Sequence, residues 1–155
     1  MKMTADEYFE KLEDISFQYL TAHNIIGIVL DIDNTIVIDG KEDISQSVFK
    51  WIKDIKLPVC LLSNGKKWRV KLFADAFGVC YIYRASKPFK KGYIRAAELL
   101  GIEDLTKIAV IGDQLFSDIL GGNIAGCYTI KVEPIDKTAD PFIVKVKRWF
   151  ERFIK

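Results

Sequence analysis

A chain of 155 residues and 17.7 kDa has room for one domain with its own core, since compact domains peak near roughly 100 to 150 residues. With 50% hydrophobic residues, 28% charged residues and a formal net charge of +2, the composition excludes a disordered or collagen-like chain. The charge is uneven: residues 142–155 hold Lys145, Lys147, Arg148, Arg152 and Lys155 against Glu151, which leaves the remainder slightly acidic. A nucleic-acid binder spreads Lys and Arg over a face. An excess confined to one end points instead to an anionic membrane surface, so no nucleic-acid partner is expected.

The acidic start, with Asp6, Glu7, Glu10, Glu13 and Asp14, lacks the basic and apolar segments of a signal peptide, and no apolar run approaches about 18 residues. Cys60, Cys80 and Cys127 lie in apolar runs without CxxC spacing and read as buried thiols of a reducing compartment. The expectation is a cytoplasmic protein, peripheral to a membrane at most.

In chain order the pattern predicts an opening helix over residues 4–22, a strand from Ile25 to Leu30, a helix over 45–55 and a strand from Val59 to Leu62. A helix over 66–77 closed by Gly78, a strand from Cys80 to Tyr83, a helix over 89–100 closed by Gly101 and a strand from Ile108 to Ile111 follow. A short helix over about 115–124, a strand from Tyr128 to Val132 and a basic helix over about 141–155 complete the chain. Short β-rich runs alternating with amphipathic helices imply a parallel sheet covered on both faces, an α/β fold in three Rossmann-like layers.

Three of the strands run into polar residues, where open α/β sheets bind ligands. They lead into Asp31-Ile-Asp33-Asn-Thr35, into Ser63-Asn64-Gly65, and into Gly112-Asp113 followed by Asp118. Asp31 and Asp33 could serve as nucleophile and acid/base, since one carboxylate can attack phosphorus while another handles the leaving-group proton. Turn and capping residues would look the same taken singly. Four acids at one sheet edge repel one another unless a cation such as Mg²⁺ compensates. Ser63 and Asn64 suit a phosphoryl oxygen at a helix start, or a plain N-cap. Lys87, before Pro88, could neutralise charge in their company. Lys66, Lys67, Arg69, Arg84, Lys90 and Lys91 flank these motifs, either to attract an anion or as solvated helix faces. His23 reads as a helix-end residue, and Trp51 and Trp68 as packing residues.

The ordered set Asp-x-Asp-x-Thr, Ser-Asn, Lys-Pro and Gly-Asp-x4-Asp, spread over residues 26–118, resembles the haloacid dehalogenase (HAD) phosphatase superfamily. The resemblance implies Asp31 as nucleophile, Asp33 as general acid/base, and Lys87 as charge stabiliser. Thr35, Ser63, Asn64 and Lys87 would serve phosphate binding, with Thr35 also supporting the acid. Mg²⁺ would be held by Asp31, the Asp33 carbonyl and Asp113, with Asp118 as ligand or close support. The stretches Leu30–Val37, Arg69–Phe73, Gly112–Leu115 and Gly121–Asn123 look like the YqeG-like branch, similar to phosphatidylglycerophosphate phosphatases. Gly65 and Ser86 depart from that branch's usual residues, which bears on substrate preference.

Only 27 residues separate Thr35 from Ser63 and 23 separate Ser63 from Lys87, each interval filled by one helix and one strand. No cap domain fits, and in this superfamily that implies an open site for a large substrate. Apolar residues at 142, 143, 146, 149, 150, 153 and 154 form a helical stripe beside the basic face, suited to a membrane interface or to packing on the domain. A phospholipid headgroup is therefore the leading substrate class, ahead of a phosphoprotein, sugar phosphate or nucleotide. A non-enzymatic phospho-switch of receiver type is the alternative. Its acceptor acid follows a middle strand, whereas Asp31 follows the first expected strand.

Overall fold

The computed structural model describes residues 1–137; the basic helix expected over about 141–155 lies outside the described residues. Six strands form one parallel sheet in the order β1-β6-β5-β2-β3-β4. They are β1 (Glu7–Phe9), β2 (Gly27–Leu30), β3 (Val59–Leu62), β4 (Cys80–Ile82), β5 (Ile108–Gly112) and β6 (Tyr128–Val132).

The central strands β2, β3 and β5 are buried at every position, as continuous apolar runs require when helices cover both faces. The strand pleat then sorts their side chains. Ile28, Leu30, Val59, Leu61, Ala109 and Ile111 join α2 (Gln46–Asp54) and α3 (Lys67–Phe77) in one core. Val29, Cys60, Leu62, Ile108 and Val110 meet α4 (Lys90–Leu100) in the other. Gly78 and Gly101 end α3 and α4 with φ of +69° and +71°, the left-handed caps expected from sequence. The three-layer architecture is the expected one.

The amino-terminal region differs from expectation. Instead of one helix over 4–22, the chain forms β1, a 3₁₀ turn at Leu12–Asp14 and α1 (Phe17–Ala22), which Ser16 caps by accepting the Tyr19 N–H at 3.0 Å. Leu12, Ile15 and Leu20, which make the segment look amphipathic, are indeed buried. The rest is decided by the edge of β6, where the Asp6 carboxylate accepts the Thr129 N–H at 2.8 Å and Glu7 pairs with Ile130. As a result, the strand leading to Asp31 is second in the chain and lies between β5 and β3, in the middle of the sheet. Strand position therefore no longer separates this chain from a receiver-type switch.

Smaller differences follow from packing. Trp51 is core, its indole donating to the Ile15 carbonyl at 2.8 Å, but Trp68 is 61% exposed. His23 caps the end of α1 with its ring on Tyr19. Cys60 and Cys127 are buried, while Cys80 is half-buried and lies opposite Cys60 on the neighbouring strand. The expected helix at 115–124 splits into a π-helical turn, Leu115–Ile119, and α5 (Leu120–Ala125). Among the described residues no helix is long and apolar enough to cross a membrane.

Candidate active site

Strands β2, β3 and β5 end at Leu30, Leu62 and Gly112, so Asp31, Ser63 and Asp113 emerge together at one sheet edge. Asp31 still belongs to the sheet, donating its N–H to the Ile111 carbonyl at 3.0 Å. The chain then folds tightly back: Thr35 N–H donates to the Ile32 carbonyl at 3.1 Å, and Asn34 takes φ of +61°. That turn tucks the Thr35 hydroxyl beneath Asp31, where it donates to Oδ2 at 3.0 Å and lies 3.4 Å from Asp113 Oδ1.

Lys87 is the hub. Its Nζ donates to Asp31 Oδ1 at 2.7 Å and to Asp118 Oδ1 at 2.6 Å, with all three groups buried. Burial alone would favour the neutral amine, but Asp118 and Asp31 outweigh it and hold the Lys87 ammonium well above the usual lysine range. Burial pushes the Asp118 carboxyl up to about 6, with Asp31 adding to the effect and Lys87 opposing it.

Asp118 reaches this point because the π-helical turn swings it inward, to 1% exposure, where its Oδ2 accepts the Gln114 N–H at 3.2 Å. Such wide turns recur at functional sites. The Tyr93 hydroxyl braces the turn by donating to the Ser117 carbonyl at 2.9 Å. Gly112 makes room for it, since a Cβ there would stand 2.4 Å from Asp118 Cγ.

Carboxylate oxygens of Asp31, Asp113 and Asp118 lie within 4.8 Å of one another. Three carboxylates facing one ammonium leave a formal excess of two negative charges, which a divalent ion balances. Hard oxygen donors in this number suit Mg²⁺-like cations. The residues present therefore fit such an ion.

The two aspartates of the first motif part company. Asp33 stays out of the carboxylate cluster, on the outer lip, where Arg69 Nη2 donates to its Oδ1 at 2.7 Å and the Gly40 N–H at 3.2 Å. This pairing links residues 36 apart on separate elements, and only the position of Arg69 beside the phosphate motif hinted at it. Ser63 Oγ accepts the Gly65 N–H at 3.0 Å, leaving its own proton to donate. Asn64, expected at the phosphate, instead turns its side chain to the main chain of Lys87, accepting that N–H at 2.8 Å. It thereby ties the β3 loop to the lysine loop. Arg69, Gln114 and Tyr93 are the supporting residues that motif reasoning did not assign to the site.

The haloacid dehalogenase-like hydrolase family profile matches residues 40–126. A probable phosphatase of Bacillus subtilis, YqeG, is 36% identical over 152 residues, which span 96% of this chain and 87% of that protein. The chain belongs to the haloacid dehalogenase-like hydrolases. It is an enzyme of the family's phosphatase type, as the motifs imply. An Arabidopsis thaliana phosphatidylglycerophosphate phosphatase is 32% identical over a stretch covering 32% of this chain and 17% of that protein. Among solved structures, the cobalt-bound deoxy-D-mannose-octulosonate 8-phosphate phosphatase of Haemophilus influenzae aligns with a TM-score of 0.54 at 18% identity, covering 73% of this chain and 70% of that one. That likeness carries the fold.

Because Gly112 sits against Asp118, the Gly112→Ala substitution displaces a group of the carboxylate cluster without touching Asp31. Mg²⁺ affinity measured by calorimetry is expected to fall by roughly 10- to 100-fold, as when outer-shell supports of a metal site are lost, with the far-ultraviolet circular dichroism unchanged. Unaltered affinity would remove Asp118 from the ion's surroundings.

Proposed function

We propose that this hydrolase, a single catalytic domain, cleaves a phosphomonoester through an aspartyl-phosphate on Asp31, with Mg²⁺, and that its natural ester is a phospholipid headgroup, phosphatidylglycerophosphate. The observation that carries the chemistry is the buried Lys87 ammonium bridging Asp31 and Asp118 beside the Asp113 carboxylate.

Asp31 is oriented as a nucleophile by Thr35 on one oxygen and Lys87 on the other. Its carboxylate attacks phosphorus while the P–O bond to the leaving alcohol breaks. Asp33 gives that alcohol its proton and later takes one from the water that hydrolyses the acyl phosphate. Ser63 donates to a phosphoryl oxygen, and Lys87 offsets the charge that builds there. Asn64 acts by holding the lysine loop at this distance. Asp31, Asp113 and the Asp33 carbonyl would hold Mg²⁺, with Asp118 at its margin; the ion would supply charge neutralisation to the transferring group.

The substrate class rests on three supports. The intervals of 27 and 23 residues between the motifs are too short for a cap domain, which suits a bulky ester. The partial match to a phosphatidylglycerophosphate phosphatase points to a lipid. The basic amphipathic sequence of residues 142–155 suits an anionic bilayer surface and peripheral contact with it. A receiver-type switch is disfavoured by the second acid, Asp33, which would hydrolyse the acyl phosphate that such a switch must preserve.

Asp31→Asn is expected to reduce Mg²⁺-dependent phosphate release from p-nitrophenyl phosphate to the uncatalysed background while the fold persists; full activity would remove the mechanism. Asp33→Asn is expected to slow alkyl phosphates more than aryl phosphates across a leaving-group series, and uniform slowing would deny it the acid's role. For the substrate, vesicles containing phosphatidylglycerophosphate should be turned over faster than soluble sugar phosphates or nucleotides. Good turnover of a soluble ester with none of the lipid reverses that ranking.

A further inference from the structure

Beside the carboxylate site runs a groove of about 660 Å³ between β4 and α4. Its lining includes Lys67, Arg84, Lys91 and Arg95 and no carboxylate. Lys91 and Arg95 share one face of α4 at i, i+4 spacing, Arg84 follows β4, and Lys67 opens α3. Four cations from three separate elements thus converge on one concavity.

Some surface lysines carry an acid partner on their own segment. Lys2, Lys50 and Lys71 each pair with an aspartate four residues on. Among the described residues none of the groove's four cations forms an ion pair, and Lys67 lies against the Tyr83 ring, 5.7 Å from its centroid. Like charges gathered without acids repel and weaken the fold. They repay that cost when an anion enters between them.

The wall of the groove is also bonded to the loops of the reacting centre. Arg84 N–H donates to the Gly65 carbonyl and Ala85 N–H to the Ser63 carbonyl, both at 3.0 Å, so this wall is knitted to the loop bearing Ser63. Ser86 lines the groove, and its neighbour Lys87 places its amine 2.7 Å from Asp31. Ser86 and Arg84 thus form the side of the groove nearest in the chain to the lysine on Asp31.

We propose that this groove is a subsite for a second anionic group of the substrate, a phosphodiester or second phosphate joined by a short polar linker to the phosphomonoester under attack. Guanidinium forks take phosphate oxygens in pairs and lysines add point charge, while the Tyr83 ring offers an amphipathic wall to the linker. The subsite rests on the phosphatase reading, because both groups belong to one molecule. It adds that recognition comes from the headgroup's second charge rather than from the bilayer.

Deacylated headgroup, glycerophosphoglycerol phosphate, carries both phosphates and no acyl chains; glycerol 3-phosphate carries one. Wild type is expected to prefer the former, and Arg84→Ala/Arg95→Ala to lower the ratio of the two kcat/KM values roughly tenfold or more, through KM, since charge-assisted contacts are lost. Lys50→Ala, a cation on another face, should leave the ratio unchanged. An equal fall on both esters, or no fall, overturns the subsite, as does a preference that exists only for the acylated lipid in vesicles. Should neither ester be hydrolysed, the phosphatase reading has failed. Calorimetric binding of glycerophosphoglycerol, a diester with nothing to hydrolyse, then tests the groove alone: binding weakened roughly tenfold or more by the double substitution supports it, and equal binding refutes it.

Discussion

The buried ammonium of Lys87, held between Asp31 and Asp118, is the interaction on which the arrangement depends. Removing ions from water costs several kcal/mol each, and a buried pair recovers this only with good geometry and further hydrogen bonds. The surroundings supply them: the Thr35 hydroxyl on Asp31, the Gln114 N–H on Asp118, and the Asn64 side chain on the lysine's own main chain. Even so the carboxylates outnumber the cation, and Asp31 adds to the burial that raises the Asp118 pKa. A fold selected for stability alone would place apolar groups here. This one keeps a charge excess that a divalent ion can balance.

A second constraint comes from Asp33. Asp33 stands on the open lip with its side chain about one-third exposed, at 31%, so water competes for every bond it makes. Arg69 and the Gly40 N–H fix its direction. The carboxylate cluster thus hangs from the strand ends, whereas Asp33 is held by a side chain of α3 and a loop N–H.

How much of this was legible in the sequence follows from where the information lies. Parallel strands buried on both faces are apolar throughout, so the switch to Asp, Ser or Gly-Asp at their ends stands out in β2, β3 and β5 without any structure. Asp31, Thr35, Ser63, Asp113 and Asp118 were legible for that reason, Lys87 only in their company, and the structure gathers Asp31, Thr35, Lys87, Asp113 and Asp118. The Arg69–Asp33 pair was not, because its partners lie on different elements. Neither was the π-helical turn at Leu115–Ile119, whose extra width is set by Gly112 and Tyr93 rather than by local propensity. The helix expected over 4–22 failed on a similar ground: Leu12, Ile15 and Leu20 carry a helical rhythm, yet three residues ahead of them are claimed by β6.

That claim has a bearing on how the chain is made. Asp6 and Thr129, which fasten the first strand to the last, are 123 positions apart, and loop closure over such a span is among the slow events of folding. During synthesis the opening segment emerges first and must wait for its partner until nearly the whole sheet has left the ribosome. Until then the flank of β5 stays open to any other extended chain; β6 covers it, and β1 in turn covers the edge that β6 would otherwise present.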